Sequence, residues 1–383
     1  MNKKGITLIA LVATIVIMLI LTGITFGAIN GGLFDYAGRA KTSVEETSIK
    51  SKIGQAYMIA KGESKTNIVS EHDMQEQVDK EFPNENATVV EEGDKFIVII
   101  DDKYYEVDND GDITGPGKLE AVPNAGDITK GGTCTGTQAK PYRIECIEDL
   151  VELSRLAYND LAKDRNKYYI LTKDLDFNSI FSYSDYRAKY SYSSEQNAYI
   201  PDETSETTIK ELCTTGQGFI PIGYTYGSSG GTKVFQGIFY ADSQTEIRNI
   251  HIEKTGNAGL FGACKFLTIR NITVTGHIVS TDGCAAGIVA QGHNLTINKC
   301  NNKAKIEGNG DSAGILTQYS TSTTITGCIN YGDISSENGR ANGITYNGIL
   351  DRCINLGDVT GYGNSARNSA QVILLKIVLT QEQ

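Results

Sequence analysis

A short motif recurs through the second half of the chain and limits the folds open to it. Ala258-Gly259-Leu260 returns as Ala286-Gly287-Ile288, Ala313-Gly314-Ile315 and Asn342-Gly343-Ile344, with glycine spacings of 28, 27 and 29. Between these lie β-rich segments: Ile247–Ile252, Ile269–Val274, Ile297–Ile306, Ile325–Ile334 and Leu350–Val359. Fixed-period self-similarity of this kind marks a repeat architecture. Each unit is too short and too polar to bury a core alone, so neighbouring units must stack and share one. β-Branched residues and frequent glycines exclude helical repeats. The economical solution is a right-handed parallel β-solenoid over 217–363, with strands pairing to their equivalents in the next turn.

The other end of the chain carries a different constraint. Met1–Gly5 reads MNKKG, and Ile6–Ile29 follows without a charge. A helix of that length reaches about 36 Å, enough to cross a ~30 Å hydrocarbon core. Lys3 and Lys4 place the N-terminus on the cytoplasmic side and the rest outside the cell membrane. Ala37, Ala40, Val44, Ile49, Ile53, Ala56, Tyr57 and Ala60 continue one apolar helix face. The expected helix is therefore long, over 6–62. Beyond it, 63–114 reads as a small head, with strands at Phe96–Ile100 and Tyr104–Val107 and a turn into Ile113 forming a meander. The fold class expected is mostly β with one long N-terminal helix.

The glycine placed before the apolar core, in Lys4-Gly5-Ile6-Thr7-Leu8-Ile9, resembles the leader of type IV pilins and pseudopilins. The resemblance implies a leader over 1–5, cut between Gly5 and Ile6 by a prepilin peptidase, with methylation of the new N-terminus. It also implies membrane residence and other pilin subunits as partners. Most pilins carry glutamate where this chain has Ala10, which points to a minor or tip subunit or to an uncut anchor. The repeats, best matched by Ala258–Gly262 (AGLFG), resemble the GLUG-type surface repeats of bacterial secreted proteins, often found beside pilin-like leaders in anaerobic Gram-positive bacteria. That resemblance implies cell-surface location and adhesion.

Residues 115–139 read as a linker. A segment over 140–216 reads as the solenoid's N-terminal cap, with a strand at Tyr142–Ile144 and helical spacing from Ile147 to Leu156. Within it, Ser179–Gly218 holds Tyr183, Tyr186, Tyr190, Tyr192 and Tyr199 among polar residues. Tyrosines in such a setting suit recognition of a surface glycan or protein ligand, or fold back to cover the flank. The tail at 364–383, with its apolar run Val372–Leu379, reads as a capping strand, a hydrophobic tail or the truncated end of a longer array.

No catalytic, cofactor or metal site is expected. The Asp108-Asn109-Asp110-Gly111 turn lacks the glycine and carboxylate positions of a calcium loop. Asp174 and Asp176 share a strand face, but no second acidic cluster recurs opposite them as a glycan-cleaving pair requires. His251, His277 and His293 are scattered. A polysaccharide-acting enzyme and a ligand-free structural spacer are the alternatives to a display module. With Lys plus Arg at 35 against Asp plus Glu at 46, the net charge of −11 excludes nucleic acid as a natural partner. Cys300, Cys328 and Cys353 share one repeat position and should stack as an interior column, and Cys134 with Cys146 is the candidate disulfide.

Overall fold

The computed structural model describes residues 43–362 and 366–367, apart from positions 65, 67, 86, 101–102, 119–123, 131, 160, 185–189, 194–197, 203–206, 226–231, 321 and 363–365. The chain divides into two compact units, Met1–Lys118 and Leu119–Gln383.

In the first unit the described helix, α1, occupies 43–63. It is short; the expected continuation over 6–42, with the apolar segment Ile6–Ile29, lies outside the described residues. Among the described residues no helix is long and apolar enough to cross a membrane. α1 buries Ile53, Ala56, Tyr57 and Ala60, the face read from the periodicity. A second helix, α2 (Glu71–Glu81), starts at Ser70, whose Oγ accepts from the Asp73 amide at 3.2 Å. Both helices belong to the core of an antiparallel meander: β1 (Ala87–Glu92), β2 (Lys95–Ile100), β3 (Lys103–Asp108) and β4 (Ile113–Lys118), in that order. α2 and β1 went unforeseen because their buried apolar residues are few: Met74 and Val78 on one, Val89 and Val90 on the other. β4 runs on through Gly117 and Lys118, paired to Tyr104 and Lys103, into the segment read as linker. The Asp108 carboxylate closes the acidic turn by accepting from the Asp110 and Asp112 amides at 3.0 and 2.9 Å. The Tyr57 hydroxyl donates to Asn109 O at 2.8 Å and ties that turn to α1.

The second unit is a right-handed parallel β-solenoid of about seven turns between residues 142 and 360. It starts earlier than the repeats do. β5 (Tyr142–Ile144), β6 (Tyr168–Leu171) and β7 (Leu175–Asp176) already belong to its parallel sheet and pair onward to β12 (Phe235–Lys254). The segment read as the solenoid's N-terminal cap thus contributes strands to the sheet itself. α3 (Ile147–Tyr158) lies between β5 and β6 and is buried on most sides, including Glu148, Asp149 and Glu152. Buried acids need partners. Asp149 receives Lys130 Nζ at 2.6 Å and the Glu145 amide at 2.8 Å, which fastens the turns before β5 to the start of α3.

From β12 on, the register explains the motif. The long strands β12 and β13 (Phe261–Ser280) bend at register shifts, and later turns break into shorter strands at the same places. One interior column runs Tyr169, Phe239, Ile269, Ile297, Ile325, Leu350. Another runs Ile252, Ile278, Ile306, Ile334, Val359. Phe235, Phe239 and Phe261 fill the wide early turns, with Phe235 stacked on Phe261 at 5.5 Å. Each buried Ile of such a column contributes about 1.5–3 kcal/mol.

A third column changes character along the axis. It reads Leu175, Ile247, Val274 and then Asn302, Asn330, Asn355. The asparagines are buried and joined: Asn302 Nδ2 donates to Asn330 Oδ1 at 2.7 Å, and Asn330 Nδ2 to Asn355 Oδ1 at 2.6 Å. Each Nδ2 also donates to a carbonyl two residues on, that of Ala304, Gly332 or Gly357. The repeated glycine packs on this ladder. A Cβ at Gly314 would lie 2.5 Å from Asn330 Cγ, and one at Gly343 2.5 Å from Asn355 Cγ.

The cysteine column forms as expected, with Cys300, Cys328 and Cys353 fully buried and the Cys300 amide donating to Cys328 Sγ at 3.3 Å. All eight cysteines are free thiols, so the Cys134–Cys146 disulfide is not made; Cys146 Sγ instead donates to Asp149 at 3.3 Å. The final strand, Ala366–Arg367, pairs in register with Ala341–Asn342, so the segment read as an atypical tail opens with one more station of the repeat. The repeat was hidden there because the last turn is shorter: Asn330 and Asn355 are 25 residues apart, Asn302 and Asn330 28.

The ladder gives a direct test. Asn330→Ala strips the middle rung of both its amide contacts and should cost about 2–4 kcal/mol in urea unfolding. A loss below about 0.5 kcal/mol, the size of an ordinary surface substitution, would show that the ladder does not hold the turns.

Candidate functional site

The tyrosine-rich segment divides between interior and surface. A hairpin, β8 (Tyr190–Ser193) with β9 (Ala198–Pro201), sets Tyr192 opposite Tyr199. Tyr199 is fully buried: its hydroxyl accepts from the Ile220 amide at 2.9 Å and meets Cys213 Sγ at 3.6 Å. Burial, with Cys213 beside it, raises its phenol well above the ordinary value. Tyr183 is buried too, its hydroxyl donating to Phe177 O at 2.9 Å. These two rings hold the insertion against the solenoid. Tyr192 is half-buried and covers Lys254, whose Nζ lies 5.4 Å from the ring centroid. Desolvation pushes the Lys254 amine down to about 8. Tyr186 and the Tyr190 side chain lie outside the described residues, as do the leader positions Gly5 and Ile6 and, beyond them, Ala10.

Asp174 and Asp176 share a face, as their spacing requires, but both are engaged in joining turns. Asp174 pairs with Arg248 at 2.5 Å and accepts from the Glu246 amide at 2.9 Å. Arg248 also binds Glu246 at 2.7 Å, and Lys303 reaches Glu246 from further along the axis at 2.6 Å. Lys303 and Arg248 together hold the Glu246 carboxyl below its usual range. Asp176 accepts from Asn249 Nδ2 and the Asn178 amide at 2.8 and 2.9 Å. The arrangement can staple successive turns; it does not present a paired acid and base across a cleft.

The register also brings together residues that looked scattered. His251 and His277 are neighbours on β12 and β13, and His277 Nε2 meets Glu307 at 2.5 Å. Lys305, then His277, hold the Glu307 carboxyl below its usual range. Only a period count across turns could have found this pairing. Among the described residues no group of three His, Cys, Asp or Glu side chains is placed to hold a metal ion.

Compared with known proteins, the chain matches no family model, no curated relative and no solved structure.

The buried thiols give a pH prediction. Burial pushes Cys213 up to about 12 and Cys284 to about 11, and raises Cys264 well above 9. Unfolded thiols ionise near pH 9 while the folded ones keep their protons. Their contribution is complete below pH 9 and is lost as pH rises toward the folded values. Lys254 acts oppositely, its burial penalty easing as pH rises from about 8 to 10.5, but it is one group against several. In reducing buffer the urea midpoint should fall between about pH 8.5 and 10.5, and less steeply in Cys264→Ala. A flat or rising profile would contradict this account of the interior.

Proposed function

We propose that the chain is a pilin-like surface protein, a minor or tip subunit, that holds a β-solenoid outside the membrane for adhesion. The observation that carries this reading is the solenoid itself. Its charged side chains and buried amides join one turn to the next, which suits a stiff display element better than an enclosed reaction site. The leader residues around Gly5 and Ile6 support the pilin part. So does a helix over 43–63 that shares a core with an antiparallel meander, the plan of a pilin head. The reading is non-enzymatic, since Asp174 and Asp176 are taken up by Arg248 and Asn249. Membrane, prepilin peptidase and other pilin subunits are the partners it entails.

The test is the N-terminal sequence and mass of the protein from cell envelopes, with and without the peptidase. A mature chain starting at Ile6, seen only when the peptidase is present, is the expected result. An intact Met1 in both strains would remove the pilin pathway and leave a simple anchored display module.

A further inference from the structure

One sheet of the solenoid carries an ordered pattern on its outer side. Its buried column is Tyr169, Phe239, Ile269, Ile297, Ile325, Leu350. Alternation sends the residues on either side outward. The column before it reads Tyr168, Ile238, Thr268, Thr296, Thr324, Ile349, and the column after it Ile170, Tyr240, Arg270, Asn298, Thr326, Asp351. The face is thus aromatic and aliphatic in its early turns, and a two-wide array of hydroxyl and amide groups through its middle.

Arg270 stands at the junction. Its guanidinium lies 5.2 Å from the centroid of the Tyr240 ring, and Tyr240 meets Tyr168 edge-on at 6.4 Å. Arg270 is exposed, and among the described residues no carboxylate lies within the 4.0 Å of an ion pair. Three other arginines of the solenoid are paired with acids: Arg248 with Asp174 and Glu246, Arg340 with Asp311, and, at the far end of this face, Arg352 with Asp351. At the rim of the same face Phe266, exposed and ahead of Thr268 on β13, carries Arg165 at 5.8 Å and Lys265 at 5.3 Å. On a chain of net charge −11, the early turns of this face thus hold Arg165, Lys265 and Arg270 over aromatic rings.

A guanidinium steadied on an aromatic ring keeps its fork of donors for a bidentate anion. Threonine and asparagine columns offer hydroxyl and amide partners at each turn, about 4.8 Å apart. That rise is close to the advance of one sugar along an extended glycan. A polymer crossing the strands would meet one similar set of partners per residue. Tyrosine and phenylalanine add apolar contact with hydroxyl handles, the usual means of gripping a sugar ring.

We propose that this face binds a linear, carboxylate-bearing polysaccharide lying along the solenoid axis, with Arg270 gripping a carboxylate and the Thr296, Asn298, Thr324, Thr326 array holding hydroxyls. The proposal deepens the adhesive reading given above by naming the face and the ligand class. The side chains of Arg270 and Thr296 decide it; their backbones join the ladder between turns, and among the described residues their side chains make no hydrogen bond that does so.

The experiment is calorimetric titration of the full-length chain with alginate, and with dextran as the neutral polymer. Alginate should bind, dextran should not, and added salt should weaken the alginate complex. Arg270→Gln should weaken it about tenfold, the loss of one charge-assisted contact. Thr296→Val should weaken it less. Lys305→Gln, outside both outward columns, should bind as the parent does. Unchanged circular dichroism in all three variants keeps folding out of the comparison. No alginate binding, equal binding of dextran, or parental affinity in Arg270→Gln would each overturn the proposal. N-terminal processing at Ile6 is independent of these results, so a failure here and a failure of the display reading are told apart.

Discussion

Each turn of the solenoid leaves its backbone hydrogen bonds to be completed by the turns on either side. The Ile306 amide donates to Asp333 O, the Ile334 amide to Asp358 O, and the pattern repeats around the coil. No turn has a core or a sheet of its own, so the stability of the unit is a sum over interfaces between turns. What the side chains add is register. An aliphatic column sets register through burial, since a slip of one residue turns its side chains outward. An asparagine that meets the next asparagine, with the motif glycine closed over it, adds a directional partner at each turn. The change from Val274 to Asn302 in one column is therefore a change from filling to locking.

Periodicity made the solenoid legible, because glycine spacing and alternating Ile and Val follow directly from stacking. The cysteine column came from the same count. The asparagine ladder sat two residues further along in Cys300-Asn301-Asn302, Cys328-Ile329-Asn330 and Cys353-Ile354-Asn355, and was just as regular. It was missed because asparagine in a repeat reads as a turn residue, and nothing local says that this one faces inward. The first turn was harder. Its strands are interrupted by α3 and by the long insertion, so the period is broken and Tyr142, Tyr168 and Leu175 look like a preface rather than a beginning. In the first unit, strands rich in Ile, Val and Tyr were readable, whereas α2 and β1 bury so little that no pattern rises above their polar residues.

The tyrosine segment shows how composition misleads about sites. A run of tyrosines among serines describes a sticky loop equally well as a packed insertion, and Tyr183 and Tyr199 are held by hydrogen bonds that only a fold can supply. Conversely, Arg270 lies within a strand segment of ordinary appearance, Leu267-Thr268-Ile269-Arg270. Its interest comes from what faces it across turns, a tyrosine ring and no acid, and that is a property of register rather than of neighbours in sequence.

The stacked thiols carry a consequence for the life of the molecule. Cys300, Cys328 and Cys353 are buried free thiols, each donating to a backbone carbonyl, and burial shields them from oxidants in solution. In an oxidising medium that protection lasts only as long as the turns remain closed. A chain opened there would expose three thiols, consecutive ones 28 and 25 residues apart, close enough to cross-link within the open coil. Such a link would hold two turns at a spacing that thiol exchange must undo before they can stack again, so in that medium the ease of refolding would depend on the redox chemistry around the chain.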